Sequence, residues 1–456
     1  MKKFDLIVIG GGRASNLAIK AGKKGLKVAL IEKSKLGGTC PNRGCVPSKL
    51  LIGYAHTARA IKESSRHYIS SQINEIDVQQ IFDHTNNYVS KIDPGYESRF
   101  NDNVEILRGT GSFLSNNVIS INDEEITAPK IVIATGTKPF EVPHKAAWSS
   151  DDIFPLLGKI PESITIVGSG FIACELANFF DAVGIKTKLV VRSQKLLSSE
   201  DTEISELFKE EFIKNVDVVF NTTIEDIKYE NNSFELSLIN KDKEVTSHTS
   251  EALLYATGRK SNTDTLNLQN TSINVDDRGY IKRNEMFETS APGVYVVGDA
   301  AGEHMLQHAA AYEVNHLGRI LLEDNSTPLK FKYMPHAVFT DPEIASVGLG
   351  EEEAKKNNVE YVVSMTNWLA SAKAMSTKLD YPRTKFLVDP KTFEILGCHL
   401  LGPESSTLMH QILAVMHIDN DIRHLKEMLY IHPALSEAIL PAAVQAVSEV
   451  TKYNTK

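Results

Sequence analysis

The sequence predicts an α/β protein with two Rossmann-like nucleotide-binding units, one inserted in the other, and an α+β domain at the C-terminus. Three observations carry this reading. A strand, a glycine turn and a helical pattern occur near the N-terminus and recur after residue 163. Two further apolar strands end in the same Ala-Thr-Gly, one before and one after the recurrence. Beyond residue 330 the texture changes to strand-like pieces alternating with helical ones.

Composition agrees with a folded, multidomain chain. The 456 residues suffice for roughly two to four domains. With 42% hydrophobic and 23% charged residues, a mainly disordered or fibrous chain is excluded. The net charge of -9 and the lack of a basic stripe argue against nucleic acid or an anionic membrane as partner. No uncharged apolar stretch approaches the roughly 18 residues of a membrane span. Lys2 and Lys3 before Leu6-Ile7-Val8-Ile9 are followed by Asp5 and then by glycines, which reads as a buried strand rather than an export signal. Four cysteines, Cys40, Cys45, Cys174 and Cys398, are too few for a disulfide scaffold, so a cytoplasmic protein is expected.

Taken in order, residues 4–9 form an apolar strand of the parallel type, Gly10-Gly11-Gly12 ends it, a helix runs over 14–24 and a second strand over 27–31. Residues 163–167, 168–170, 172–183 and 186–191 repeat that series. The strands ending in Ala134-Thr135-Gly136 and Ala256-Thr257-Gly258-Arg259 suggest that the chain leaves the first unit and later returns. A buried strand at 293–297 delivers Asp299 at its end. Asn231-Asn232 and residues 240–243 read as hairpin turns. Strands at 337–340, 385–388 and 397–401, with helices at 406–417 and 436–450, make up the last domain. The expected boundaries are 1–150 with 259–330, then 151–258, then 331–456.

Four places carry chemistry. Gly10-x-Gly12-x-x-Ser15 opens a helix whose N–H groups can take a pyrophosphate, and Glu32, 20 residues past Gly12, can accept from ribose hydroxyls. Ser15 stands where glycine or alanine is usual and is small enough for close packing. In Gly168-x-Gly170-x-x-Ala173 the matching acidic position holds Arg192, with Lys195 nearby. An arginine there offers a fork to a 2′-phosphate, favouring NADPH over NADH; a solvated arginine at a strand end is the other reading.

Cys40 and Cys45 are separated by four residues, and a helix follows with Pro47 in its first turn. Cys45 near a helix N-terminus, with Arg43 close by, is set for a lowered thiol pKa. A zinc site would need more ligands, and the sequence shows no second cysteine pair. Lastly, His432 followed by Glu437 can form an oriented acid–base unit, although that spacing also suits a structural histidine.

With these residues in view, the chain resembles the flavin-dependent pyridine nucleotide–disulfide oxidoreductases, the group of glutathione reductase, dihydrolipoamide dehydrogenase and mycothione reductase. The resemblance spans essentially the whole length and rests on Gly38-Thr39-Cys40 through Cys45-Val46-Pro47-Ser48-Lys49, both glycine turns, Ala256-Thr257-Gly258-Arg259, Gly298-Asp299, Phe339-Thr340-Asp341-Pro342, and His432-Pro433 with Glu437. It implies FAD in the first unit, bound by Gly10, Gly12, Ser15, Glu32, Gly38, Thr39, Lys49, Thr135, Gly136 and Asp299. It implies NAD(P)H in the inserted unit, at Gly168, Gly170, Arg192, Lys195 and Gly258, and a homodimer made by the last domain.

The resemblance also assigns roles. Cys45 would face the flavin and Cys40 would attack substrate. Lys49 would sit by the flavin paired with Glu175, and His432, oriented by Glu437, would serve Cys40 of the other subunit. Reducing equivalents would pass from the nicotinamide through FAD to the cysteines and on to a small-molecule disulfide, or the reverse for a dithiol. The chain ends without a cysteine pair, unlike mercuric reductases and larger thioredoxin reductases. Val191-Arg192-Ser193 and the residues around His432 look most like mycothione reductase, and Val46-Pro47-Ser48-Lys49 like dihydrolipoamide dehydrogenase. The reading is an NADPH-linked disulfide reductase, with an NAD-linked dihydrolipoamide dehydrogenase as alternative and a mainly docking subunit as a remote one. Arg43 is a candidate contact for an acidic group on the substrate.

Overall fold

The computed structural model describes residues 1–156 and 159–455. Its first sheet is parallel, in the order Val294–Val296, Lys130–Ile133, Leu6–Ile9, Val28–Glu32, Val104–Arg108. Leu6–Ile9 and Val28–Glu32 are buried at every position, as in a sheet covered on both faces. Strand alternation divides them. Leu6, Val8, Val28 and Leu30 pack on the helices Ser15–Lys23 and Gln307–Leu322, through Leu17 and Leu317. Ile7, Ile9, Ala29 and Ile31 pack on Phe113, Ile119 and Ile126. Those three belong to a small four-stranded sheet, Lys2–Lys3, Glu124–Thr127, Val118–Ile121 and Ser112–Ser115, which the periodicity does not announce.

The second parallel sheet runs Trp148–Ser149, Ala252–Tyr255, Ser163–Val167, Lys186–Val190, Asp217–Val219. Trp148–Ser149 therefore lies in this sheet, ahead of the boundary expected at 150. One face is covered by the helices Phe171–Ala182 and Thr202–Phe212, and the other by the antiparallel strands Thr222–Glu230, Ser233–Asn240 and Val245–Ser250. Asn231 and Asn232 turn the first hairpin with φ of 52° and 59°, the left-handed pair that suits strand twist.

The repeated Ala-Thr-Gly stands where the sequence suggests, at the exit from and the return to the first unit, and it also has a packing role. Each copy ends a strand of its own unit's sheet. Each sets its alanine carbonyl against the first glycine of that unit's turn: a Cβ on Gly10 would lie 2.2 Å from the Ala134 oxygen, and one on Gly168 2.5 Å from the Ala256 oxygen. The motif marks close backbone packing at the two crossings: after the first copy the chain enters the second sheet at Trp148–Ser149, and after the second copy it returns to the first unit at Arg259–Ser261 and Val294–Val296.

The C-terminal sheet is antiparallel: His336–Val338, Ile344–Gly348, Ile395–Leu401, Arg383–Val388, Val362–Asn367. The helices Ser405–Ile418 and Leu440–Asn454 lie on it. The second helix starts later than the pattern over 436–450 predicts, because Leu435–Ile439 is a tighter 3-10 turn. A buried cation joins this sheet to the second unit: Lys385 Nζ reaches Asp201 at 2.8 Å, Glu203 at 3.0 Å and Glu351 at 2.7 Å. No helix among the described residues is long and apolar enough to cross a membrane.

Candidate functional site

A cleft of about 390 Å³ opens where the first sheet ends, and it brings together residues from all along the first unit. Gly10, Gly12, Glu32, Gly38, Thr39, Thr135, Gly136 and Asp299 line it, as do Cys40, Cys45, Lys49 and Glu175. The glycine turn is a tight backbone contact, since a Cβ on Gly38 would sit 2.7 Å from Gly12 Cα. Glu32 holds the turn by accepting from Gly11 N and Ser34 N, both at 2.6 Å. Ser15 is fully buried beneath the turn and does not line the cleft; its hydroxyl donates to the Gly11 carbonyl at 2.7 Å. Its place is structural, because a hydroxyl so buried needs a local acceptor.

The thiols are carried by two consecutive helices. Thr39–Arg43 presents Cys40, Gly44 breaks the direction, and Cys45 is the first residue of Cys45–Lys62. Asn42 secures the loop by donating to the Leu36 and Gly38 carbonyls, both at 2.9 Å. Both cysteines are free thiols. The hydrogen bond from Cys40 brings the Cys45 pKa down to about 7; burial opposes this and the Lys49 charge assists it. Cys40 is pushed well up by the same contact and by burial, so above about pH 7 the pair holds one proton between two unequal sulfurs.

Lys49 lies one turn after Cys45, on the same face. It pairs with Glu175 at 2.6 Å and stands 4.6 Å from the centre of the Phe339 ring. The other Glu175 oxygen accepts from Phe339 N at 3.0 Å. One contact set thus ties together all three parts of the chain. Arg43 is different: its guanidinium donates to Ser34 Oγ at 3.1 Å, so it braces the loop after strand Val28–Glu32. Lys49, rather than Arg43, is the cation that acts on Cys45.

Sequence reasoning passed over Thr137, Arg259 and Asn262, which also line the cleft. Thr137 donates to Asp299 at 3.0 Å, and Arg259 links Thr137 to Asp151 at 3.1 Å on each side. Arg259 stood in the Ala-Thr-Gly-Arg motif; Thr137 had no local signal. Thr135 Oγ1, Asn42 Oδ1 and Asn262 Oδ1 are buried without a protein partner.

Two predicted groups lie outside this cleft. Gly168, Gly170, Arg192, Lys195 and Gly258 belong to the second unit and do not line it. There Gly170 precedes the helix Phe171–Ala182, and Arg192 and Lys195 are exposed after the strand Lys186–Val190. His432 and Glu437 do not line it either. They do pair, with His432 Nδ1 2.9 Å from Glu437 Oε1, while Glu437 Oε2 accepts from Ala434 N at 2.8 Å. These bonds hold the Glu437 carboxyl below its ordinary range. The His432 side chain is 75% exposed, and Leu429 and Ile431 beside it are exposed too. The bond from His432 to Pro433 is cis.

Comparison with known proteins agrees with this architecture. Residues 4–313 match the model of the pyridine nucleotide-disulphide oxidoreductase family, and residues 334–443 match that family's dimerisation domain. A dihydrolipoyl dehydrogenase of Buchnera aphidicola is 30% identical over 95% of this chain and 94% of its own. One from Bacillus subtilis is 30% identical over 97% and 98%, and a mercuric reductase of Staphylococcus aureus 27% over 99% and 84%. Among solved structures, the HOCl-induced flavoprotein disulfide reductase RclA of Escherichia coli superposes with a TM-score of 0.85 at 25% identity, over 96% of this chain and 99% of its own. The chain belongs to the pyridine nucleotide-disulphide oxidoreductase family, whose members are FAD-dependent and couple a pyridine nucleotide to thiol–disulfide chemistry.

Proposed function

We propose that this protein is a homodimeric, NADPH-linked reductase of a small-molecule disulfide, acting through Cys40 and Cys45. The observation that carries the reading is the unequal thiol pair beside the ion pair of Lys49 and Glu175, opening on the glycine-built cleft.

The residues present fit FAD. The turn at Gly10 and Gly12 lets backbone approach a pyrophosphate at the N-terminus of Ser15–Lys23. The carboxylate of Asp299 and the unpartnered Thr135, Asn42 and Asn262 oxygens suit a ligand rich in hydroxyls. Bound there, FAD supplies two-electron transfer between the pyridine nucleotide and the thiols.

The chain's own residues do the rest. Lys49, fixed by Glu175, favours the Cys45 thiolate. Once the bond between Cys40 and Cys45 is reduced, Cys40 attacks one sulfur of the substrate disulfide and expels the other as thiolate. His432 of the partner subunit, oriented by its glutamate, protonates that thiolate. Cys45 then attacks Cys40, releasing the second thiol and restoring the protein disulfide. Arg192 and Lys195 read the 2′-phosphate of NADPH.

The relatives named dihydrolipoyl dehydrogenase favour a second reading, NAD-linked oxidation of dihydrolipoamide by the same steps reversed. Anaerobic titration of the purified holoenzyme separates the two. Flavin bleaching by NADPH well ahead of NADH supports the reductase, and Arg192→Glu then lowers the NADPH-to-NADH preference by about 10–100-fold. Bleaching by NADH first replaces it with the dehydrogenase.

A further inference from the structure

Asp299 sits on a 3-10 turn, Gly298–Ala301, that is gripped from behind by two buried charges. Glu313, on the helix Gln307–Leu322, is 1% exposed. Its Oε2 accepts from Gly298 N at 2.7 Å. Arg283 meets the same carboxylate with both ends of its fork, at 2.6 and 3.0 Å. The guanidinium also donates to the Val296 carbonyl at 3.1 Å and to Glu303 at 2.7 Å. The backbone is therefore held before Asp299, at Val296 and Gly298, and beyond it the Glu303 side chain is tied to the same guanidinium. Gly298 and Gly302 bracket the turn with φ of 67° and 76°, so the turn itself has little intrinsic stiffness.

We propose that Arg283 and Glu313 are a positioning pair for the flavin: they fix the backbone at Val296 and Gly298, where the turn begins, so that the Asp299 carboxylate faces the cleft. The proposal rests on the FAD reading of that cleft. Neither residue lines the cleft, whereas Ala310 and Val314, on the same helix, do. An N–H that is half-buried, as at Gly298, is best satisfied by an acceptor fixed within the protein. A carboxylate serves there only if a cation is fixed beside it, and the planar fork of arginine can hold carboxylate and backbone carbonyl at once. An apolar pair would fill the space and leave the turn free to rotate Asp299 away.

The test reads flavin retention in purified holoenzyme: the flavin-to-chain ratio by absorbance and the release rate by free-flavin fluorescence. Glu313→Ala should release flavin at least about tenfold faster than wild type. Glu313→Gln, which keeps an oxygen for Gly298 N, should recover most of the retention. Leu317→Ala, a buried change on the same helix away from the turn, should lower thermal stability without speeding release. If Glu313→Ala does not fold, Arg283→Lys carries the test, because a lysine cannot reach Glu313, Glu303 and Val296 together and should also speed release. Wild-type release in Glu313→Ala or Arg283→Lys overturns the proposal. So does release in Leu317→Ala as fast as in Glu313→Ala. Wild-type protein that neither carries nor takes up flavin overturns the FAD reading itself, before any variant is compared.

Discussion

Replacing Cys40 should change the titration of Cys45 in a way that depends on what replaces it. The hydrogen bond from Cys40 is the largest cause of the low Cys45 pKa, about 7. Cys40→Ala removes the donor, and the midpoint should rise toward the ~8.5 of an ordinary thiol. At pH 7 a midpoint near 7 leaves half the sulfur ionised, and one near 8.5 leaves about 3%, so alkylation should slow roughly fifteenfold. Cys40→Ser keeps a hydroxyl donor and should stay near 7. The sign for stability follows from a folded value below the unfolded one. Ionisation of Cys45 favours the fold above about pH 8.5, and that contribution is lost as the pH falls through about 7. The assay is the pH dependence of iodoacetamide labelling of the reduced protein, read on the Cys45 peptide by mass spectrometry. Cys174 and Cys398 are fully buried, with thiol pKa values pushed up by that burial, and add little background. A Cys40→Ala midpoint still near 7, or a Cys40→Ser midpoint that rises as far as that of Cys40→Ala, refutes the reasoning.

Glu175 acts on Cys45 in the opposite sense to Lys49, so Glu175→Ala should lower the labelling midpoint further while costing about 1–2 kcal/mol in denaturant unfolding, because Phe339 N loses its acceptor. Lys385→Met leaves the buried Asp201 without its cation and should cost about 3–5 kcal/mol; thermal or denaturant unfolding measures it, and Lys385→Met with Asp201→Asn should recover part of the loss. His432→Gln should lower turnover of a disulfide by roughly 10²–10⁴-fold with unchanged flavin content and unchanged flavin bleaching by the pyridine nucleotide, as stopped-flow absorbance would show.

The sequence by itself determined what local spacing can encode. Apolar runs ending in glycine placed both βαβ units, because strand, turn and helix are each set by residues within a few positions of one another. Cys45 at a helix start was legible for the same reason, from Pro47 and the pattern after it. The pairing of Lys49 with Glu175 was available only through family resemblance, since no local pattern links residues 126 apart. The tertiary structure alone decided the contacts between elements that are far apart in sequence. It turned Arg43 to Ser34, buried Ser15 beneath the glycine turn, and set Ala134 and Ala256 against the two first glycines. It placed Lys385 among three acids and Glu313 behind Asp299. Short antiparallel strands such as Val118–Ile121 escaped the sequence reading because four residues carry too little alternation to stand out. For Lys385, Glu313 and the two first glycines the physical reason is the same: a buried charge or a missing Cβ acquires its meaning from the surface that packs against it, and that surface comes from another part of the chain.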